Sequence, residues 1–162
     1  MLSGIYECRH ASRLLRTWLL LSAGLLTSAD PASAHAADAA SPTGLWQTID
    51  DHTGQPRALV RIYEQSGHLF GRVEKSFTPG AEHRVCEQCK DERHGRPMLG
   101  LIIIRNLHQD GDVWDGGDIL DPDSGTVYRC KLRLDEGGTQ LIVRGFIGIS
   151  LLGRSQTWRR QE

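Results

Sequence analysis

The sequence predicts an all-β fold, a small antiparallel up-and-down β-barrel of about eight strands. Three observations predict it. From residue 44 onward, short runs rich in Val, Ile, Leu and aromatics are punctuated by turn residues at roughly ten-residue intervals. No stretch of respectable length carries the helical period of about 3.6 residues. The runs are joined by hairpin-length connections, so neighbours in sequence are expected to be neighbours in the sheet, and closing such a meander removes its exposed edges.

Residues 1–34 read as a leader. Arg9, Arg13 and Arg16 precede an apolar run at 17–27, which ends in small residues and is followed by the triplet Ala32, Ser33, Ala34. This is the layout of a secretory signal peptide with cleavage after Ala34, Ala37 being the alternative. The run is shorter than the roughly 20 residues that span a bilayer. No twin-arginine pair precedes it and no cysteine stands at the cleavage point, so export by the general route to the periplasm, or onward to the medium, is expected. Cleavage leaves 128 of the 162 residues, the size of one domain. With three arginines and two acidic residues removed, 16 basic face 18 acidic residues, and a nearly neutral domain without a basic cluster excludes nucleic acid as a partner.

Residues 35–43 are rich in Ala, Ser and Pro and read as a flexible lead-in to a single domain at 44–162. The expected strands are 44–50, 58–65, 68–77, 98–107, 113–121, 126–134, 139–146 and 155–160. Ser66-Gly67, Asp110-Gly111, Asp123-Ser124-Gly125 and Gly137-Gly138 supply the positive φ angles of tight hairpins. Alternation is clearest at 127–134, where Tyr128, Cys130, Leu132 and Leu134 share one face and Arg129, Lys131 and Arg133 the other, so Cys130 is expected to point into the core. The run 99–104 is apolar on both faces and predicts a strand covered on its outer side as well. A membrane-spanning barrel would need an outward apolar row, and here the outward rows carry Arg and Lys.

These residues resemble a bacterial family known as "domain of unknown function 2147". Gly44-Leu45-Trp46, the strand Arg61-Ile62-Tyr63-Glu64, and Gly67, Leu69 and Gly71 carry the likeness first. Cys86-x-x-Cys89, Trp114-Asp115-Gly116-Gly117 with Ile119, Asp121 and Pro122, and Tyr128-Arg129-Cys130-Lys131 continue it. Val143-Arg144-Gly145 and the stretch from Leu152-Gly153-Arg154 to Trp158 complete it. The resemblance implies a small exported β-barrel and brings no activity, ligand or catalytic residue. The Gly-x-Trp at 44–46 is also similar to the opening of lipocalin-type barrels, in which an arginine near the last strand stacks on the tryptophan. That likeness makes Arg154 or Arg159 the expected partner of Trp46.

Cys86 and Cys89, flanked by His83 and His94 in a long polar loop, admit three readings. Two cysteines this close in an oxidising compartment form a disulfide, with Cys130 as an alternative partner. The spacing His-x2-Cys-x2-Cys-x4-His also suits zinc, whose preferred donors are thiolate and imidazole. A redox site would need a helix N-terminus to depress a thiolate pKa, and no helical pattern follows Cys89. Asp110, Asp112, Asp115, Asp118, Asp121 and Asp123 crowd one hairpin, yet their spacing fails a calcium loop and turn chemistry accounts for them. His52, His68 and His108 lie at or beside turns and are expected in solvent. No nucleophile elbow, phosphate loop or paired acid and base is present, so no catalytic residue, metal or cofactor is expected.

Trp46, Tyr63, Trp114, Phe146 and Trp158 are the aromatics available to line or cap one end of a barrel, with Arg144 beside them as a polar anchor. They make a binding module for a small apolar or amphipathic molecule the first functional expectation. The second is an envelope interaction or stress protein with a filled barrel, working through a protein partner and an exposed apolar strand near Leu101 and Ile104. An enzyme would instead show a polar pocket of convergent titratable groups.

Overall fold

The computed structural model describes residues 41–162. The expected leader and most of the expected lead-in lie outside the described residues. The remainder forms eight antiparallel strands: β1 (Gly44–Ile49), β2 (Pro56–Gln65), β3 (His68–Ser76), β4 (Ile102–Asp110), β5 (Val113–Asp121), β6 (Thr126–Asp135), β7 (Gln140–Phe146) and β8 (Gly153–Arg160). Each pairs with the next and β8 returns to β1, closing the barrel, so the expected up-and-down topology holds.

Alternation dictates the layering. On β6, Cys130 and Leu132 are fully buried while Arg129 and Arg133 are exposed. The outer face is covered by ion pairs between neighbouring strands, among them Arg61–Glu74, Arg105–Asp118 and Lys131–Asp115. Burial pushes the Cys130 thiol up, with Asp118 and Asp115 adding to the rise, which leaves it a protonated core residue.

The fourth strand begins later and runs further than its apolar pattern suggests. Leu101 N–H donates to Met98 O, Gly100 takes a positive φ of 86°, and the amides of Val73 and Gly100 exchange bonds with Leu101 O and Val73 O. The chain therefore turns at 98–101 before the ladder starts. Further along, Asn106 adopts φ 59° in a bulge of β4 against β3, while pairing with β5 continues in register to Asp110. The run 99–104 is covered only in part: Leu101, Ile103 and Ile104 are buried in the core cluster with Cys86 and Cys89, Ile102 is half-buried, and Leu99, which lies in the turn ahead of the strand, is exposed. Arg93 from the same excursion, itself buried, donates to Ile102 O.

The two ends of the barrel differ. Tight turns at Ser66-Gly67, Gly111 and Gly137-Gly138 gather at one end with the beginning of β1 and the end of β8. This end is filled by Trp46, Ile62, Leu69, Leu107, Leu132 and Leu141. The other end carries the segments 50–55, 77–101, 122–125 and 147–152.

Arg160 seals the filled end. Its guanidinium lies 4.3 Å from the Trp46 ring centroid and donates to the carbonyls of Ser41, Thr43 and Gly138 at 2.7, 2.8 and 2.6 Å. Trp46 Nε1 donates to Pro42 O, so residues 41–43, the end of the lead-in, are held against the barrel. The stacking arginine is thus neither Arg154 nor Arg159. Side chains alternate along a strand, so the inward Trp158 sends Arg160 inward too and Arg159 outward, while Arg154 sits at the opposite end of β8.

Candidate functional site

Between the filled end and the loops lies a cavity of about 610 Å³, within the range of small-molecule sites. An eight-stranded barrel is just wide enough to be filled by side chains, so a cavity requires small residues at inward positions. Here Thr48, Ala58, Val60, Val143 and Gly145 line it where larger side chains would close it. Trp158, buried opposite Leu141, forms the deep wall, and Ile119 and Tyr128, paired across β5 and β6, form one side.

A polar chain climbs from this wall to the mouth. Trp158 Nε1 donates to Gln156 Oε1 at 3.2 Å, and Gln156 Nε2 donates to Asp51 Oδ2 at 2.7 Å. Arg154 donates to the same oxygen, so the indole N–H is satisfied and the cavity's depth presents the ring alone. Arg154, Gln156 and Trp158 share the inner face of β8, while Asp51 reaches them from the β1–β2 loop. A second cluster lines the mouth: Asp123 pairs with Arg57 and Arg84, and Arg57 also meets Asp50. Backbone and side-chain bonds from Thr53 hold the Asp50 carboxyl below its usual range. The site is therefore apolar at depth and ionic at its opening.

Of the aromatics and the arginine that the sequence singles out, Phe146 and Trp158 line the cavity. Trp46 is buried under Arg160 at the filled end. Tyr63 is stacked on Phe70 at a centroid distance of 5.9 Å, with Arg72 beside it. Trp114 is half-buried against the core, outside the cavity lining. Arg144 also lies outside the lining and clamps the β7–β8 loop, donating to Ser150 O at 2.8 and 2.5 Å and to Leu151 O and Ser155 Oγ. The sequence reading missed Gln156, Asp51 and Tyr128 as site residues. Strand parity from Trp158 would have found Gln156; nothing local points to Asp51.

Cys86 and Cys89 form a disulfide, and Cys130 is free and buried. With both thiols bonded, the zinc reading loses its thiolate ligands, and His83 stands in solvent; no helix directly follows Cys89 to depress a thiolate pKa as a redox site would need. The disulfide turn packs on the β5–β6 turn so closely that a Cβ on Gly125 would lie 1.7 Å from Gln88 O. The bond closes a very short loop, so Cys86→Ser combined with Cys89→Ser is expected to cost about 2 kcal/mol. Urea unfolding of the two forms measures it.

The same excursion holds Arg93, whose buried guanidinium meets both carboxylate oxygens of Asp91. Hydrogen bonds from Arg93 hold the Asp91 carboxyl at about 2, against an ordinary 3.8. Because the folded-state value is depressed, the pair's stabilisation is complete above the ordinary value and is lost as pH falls from there through about 2. Asp91→Asn is expected to cost about 2 kcal/mol at neutral pH and nothing once wild type is itself protonated. Unfolding curves of both proteins across that window check it.

Among the described residues no group of metal-donor side chains converges and no helix is long and apolar enough to cross a membrane. The model of a family described as "uncharacterized protein conserved in bacteria (DUF2147)" matches residues 44–160, which is the whole barrel. The chain belongs to this family. No curated protein matches it. Among solved structures this family member is similar to protein HP1028 of Helicobacter pylori, which is described as belonging to the lipocalin family. The TM-score is 0.66 at 15% identity, covering 75% of this chain and 84% of the other. At that identity the likeness shows the fold, which is lipocalin-like, and the Trp46–Arg160 closure agrees with it.

Proposed function

We propose that the protein is an exported binding module that takes a small apolar or amphipathic molecule into the barrel, apolar part inward and polar part at the mouth. The cavity carries this reading: it is open at one end, walled at depth by Trp158 and edged by Asp51, Arg154, Arg57 and Arg84. A ligand buried there would lose its apolar surface to Val60, Val143 and the Trp158 ring, at a gain of about 25 cal/mol per Å². Its polar end would meet the ionic mouth without dragging a charge into the core. The disulfide supports an oxidising compartment, in agreement with the leader at 1–34.

A partner-binding protein with a filled barrel is less well supported, because the cavity is present and the apolar residues Leu101, Ile103 and Ile104 are buried. Native mass spectrometry of protein purified without reducing agent tests the proposal. An added mass that disappears on denaturation is the expected result and gives the ligand's size. A clean apo mass, together with failure to take up any added amphiphile, overturns it.

A further inference from the structure

The β7–β8 loop breaks the rule that large apolar side chains are kept from solvent. Ile147, Ile149, Leu151 and Leu152 are 64, 65, 84 and 77% exposed. They fall in an uncharged stretch between Arg144 and Arg154. Solitary exposed leucines are ordinary, but four in six residues at one edge of a cavity form a patch, and such patches mark interaction sites.

The loop is not slack chain. Gly148 turns it with a φ of 74°. The carbonyls of Ser150 and Leu151 accept from Arg144, and Leu152 N–H donates to Ile149 O. Its tip thus points apolar side chains outward while the carbonyls of Ile149, Ser150 and Leu151 and the Leu152 amide are paired from within. That arrangement suits a surface of low dielectric, where an unpaired carbonyl or amide is costly. Cations stand on its flank: the Arg129 guanidinium lies 5.6 Å from the Phe146 ring centroid, beside Arg144. The acidic residues at the mouth are engaged elsewhere, Asp123 by Arg57 and Arg84, Asp51 by Arg154, and Asp121 by the Asp123 amide and Ser124 hydroxyl. Apolar tips with arginines behind them match the interfacial zone of an anionic lipid layer, hydrocarbon below and phosphate above. Ile147 and Leu152 also line the cavity, so the loop is continuous with its opening.

We propose that the 147–152 loop docks the barrel, mouth first, on an anionic lipid surface, dipping its four apolar side chains into the acyl boundary without crossing it. The cavity would then open towards the lipid, and an amphipathic ligand would pass between the two with little exposure to water. This last consequence rests on the binding-module reading; the docking does not.

Co-sedimentation with phosphatidylglycerol-containing vesicles, against vesicles of phosphatidylcholine alone, tests it on the chain beginning at His35, which carries all eight strands and lacks the apolar leader. The expected result is binding to the anionic vesicles that falls at least about tenfold in the double variant Leu151→Ser, Leu152→Ser, at unchanged melting temperature, because two exposed leucines contribute to docking and not to the core. Leu151→Trp gives a second readout: added emission that shifts to the blue on vesicles and is quenched by brominated acyl chains. No binding by wild type, binding equal in the double variant, or a vesicle-free dimer that the double variant dissociates would each overturn the proposal, the last because a second copy would then cover the loop. Repeating the assay with Gly145→Leu, which fills the cavity and leaves the loop intact, separates the two readings: docking persists even where ligand uptake is lost.

Discussion

Gly117→Ala is expected to cost roughly 3 kcal/mol and to lower the melting temperature by about 10 °C. Gly117 lies on β5 opposite Cys130 and faces the bulge that Asn106 makes in β4. A Cβ there would stand 2.0 Å from Arg105 O, 2.8 Å from Leu107 N and 2.9 Å from the Asn106 carbonyl carbon. All three are backbone atoms, so no rotamer change relieves the clash. The strand must shift, and with it Arg105, which holds Asp118 through two bonds on the outer face. The penalty is a large part of the 5–15 kcal/mol that stabilises an ordinary domain. Gly145→Ala is the control, because its Cβ would meet Ile119 and Tyr128 at 3.5 Å, ordinary contact. Thermal unfolding of the two variants beside wild type measures the difference, and equal melting temperatures would mean that the bulge yields freely.

The architecture was legible because it is written in a local code. Period-two alternation reported the inward face of β6, and turn residues such as Ser66-Gly67 and Gly137-Gly138 fixed where the chain reverses. The site was less legible because an aromatic ring's use depends on its face and on its height along the barrel. Trp46 and Trp158 are both inward and buried, yet one plugs the filled end and the other walls the cavity. Tyr63 lies outside the cavity altogether, stacked on Phe70. The Gln156–Asp51 bond joins residues 105 positions apart and has no local signature. A cavity is also a statement about what is missing, here larger side chains at Ala58 and Gly145, and sequence patterns report apolar residues more readily than empty space. The 98–104 run shows the same limit: one apolar stretch serves as both turn and strand, divided at a glycine whose positive φ only the fold requires.

Gly145→Leu is expected to abolish uptake of an amphiphilic probe such as anilinonaphthalene sulfonate, weakening it by at least about tenfold, while holding or raising stability. Gly145 sits on β7 between Cys130 and Arg154 and borders the cavity beside Ile119 and Tyr128. A leucine there projects from a backbone position with room for its Cβ and fills space that would otherwise hold ligand. Filling a cavity typically contributes about 0.5–2 kcal/mol, and replacing a strand glycine removes an entropic cost. Binding and stability are therefore expected to move in opposite directions. A variant that merely disturbed the fold would lower both, and one acting on a surface site would leave both alone. If the leucine variant folds as well as wild type and still takes up the probe with unchanged affinity, the molecule binds elsewhere and the barrel's hollow half is not its site. If uptake disappears while the melting temperature holds, the cavity itself is what binds, and Trp158 at its depth becomes the fluorescent reporter with which to search for the natural ligand.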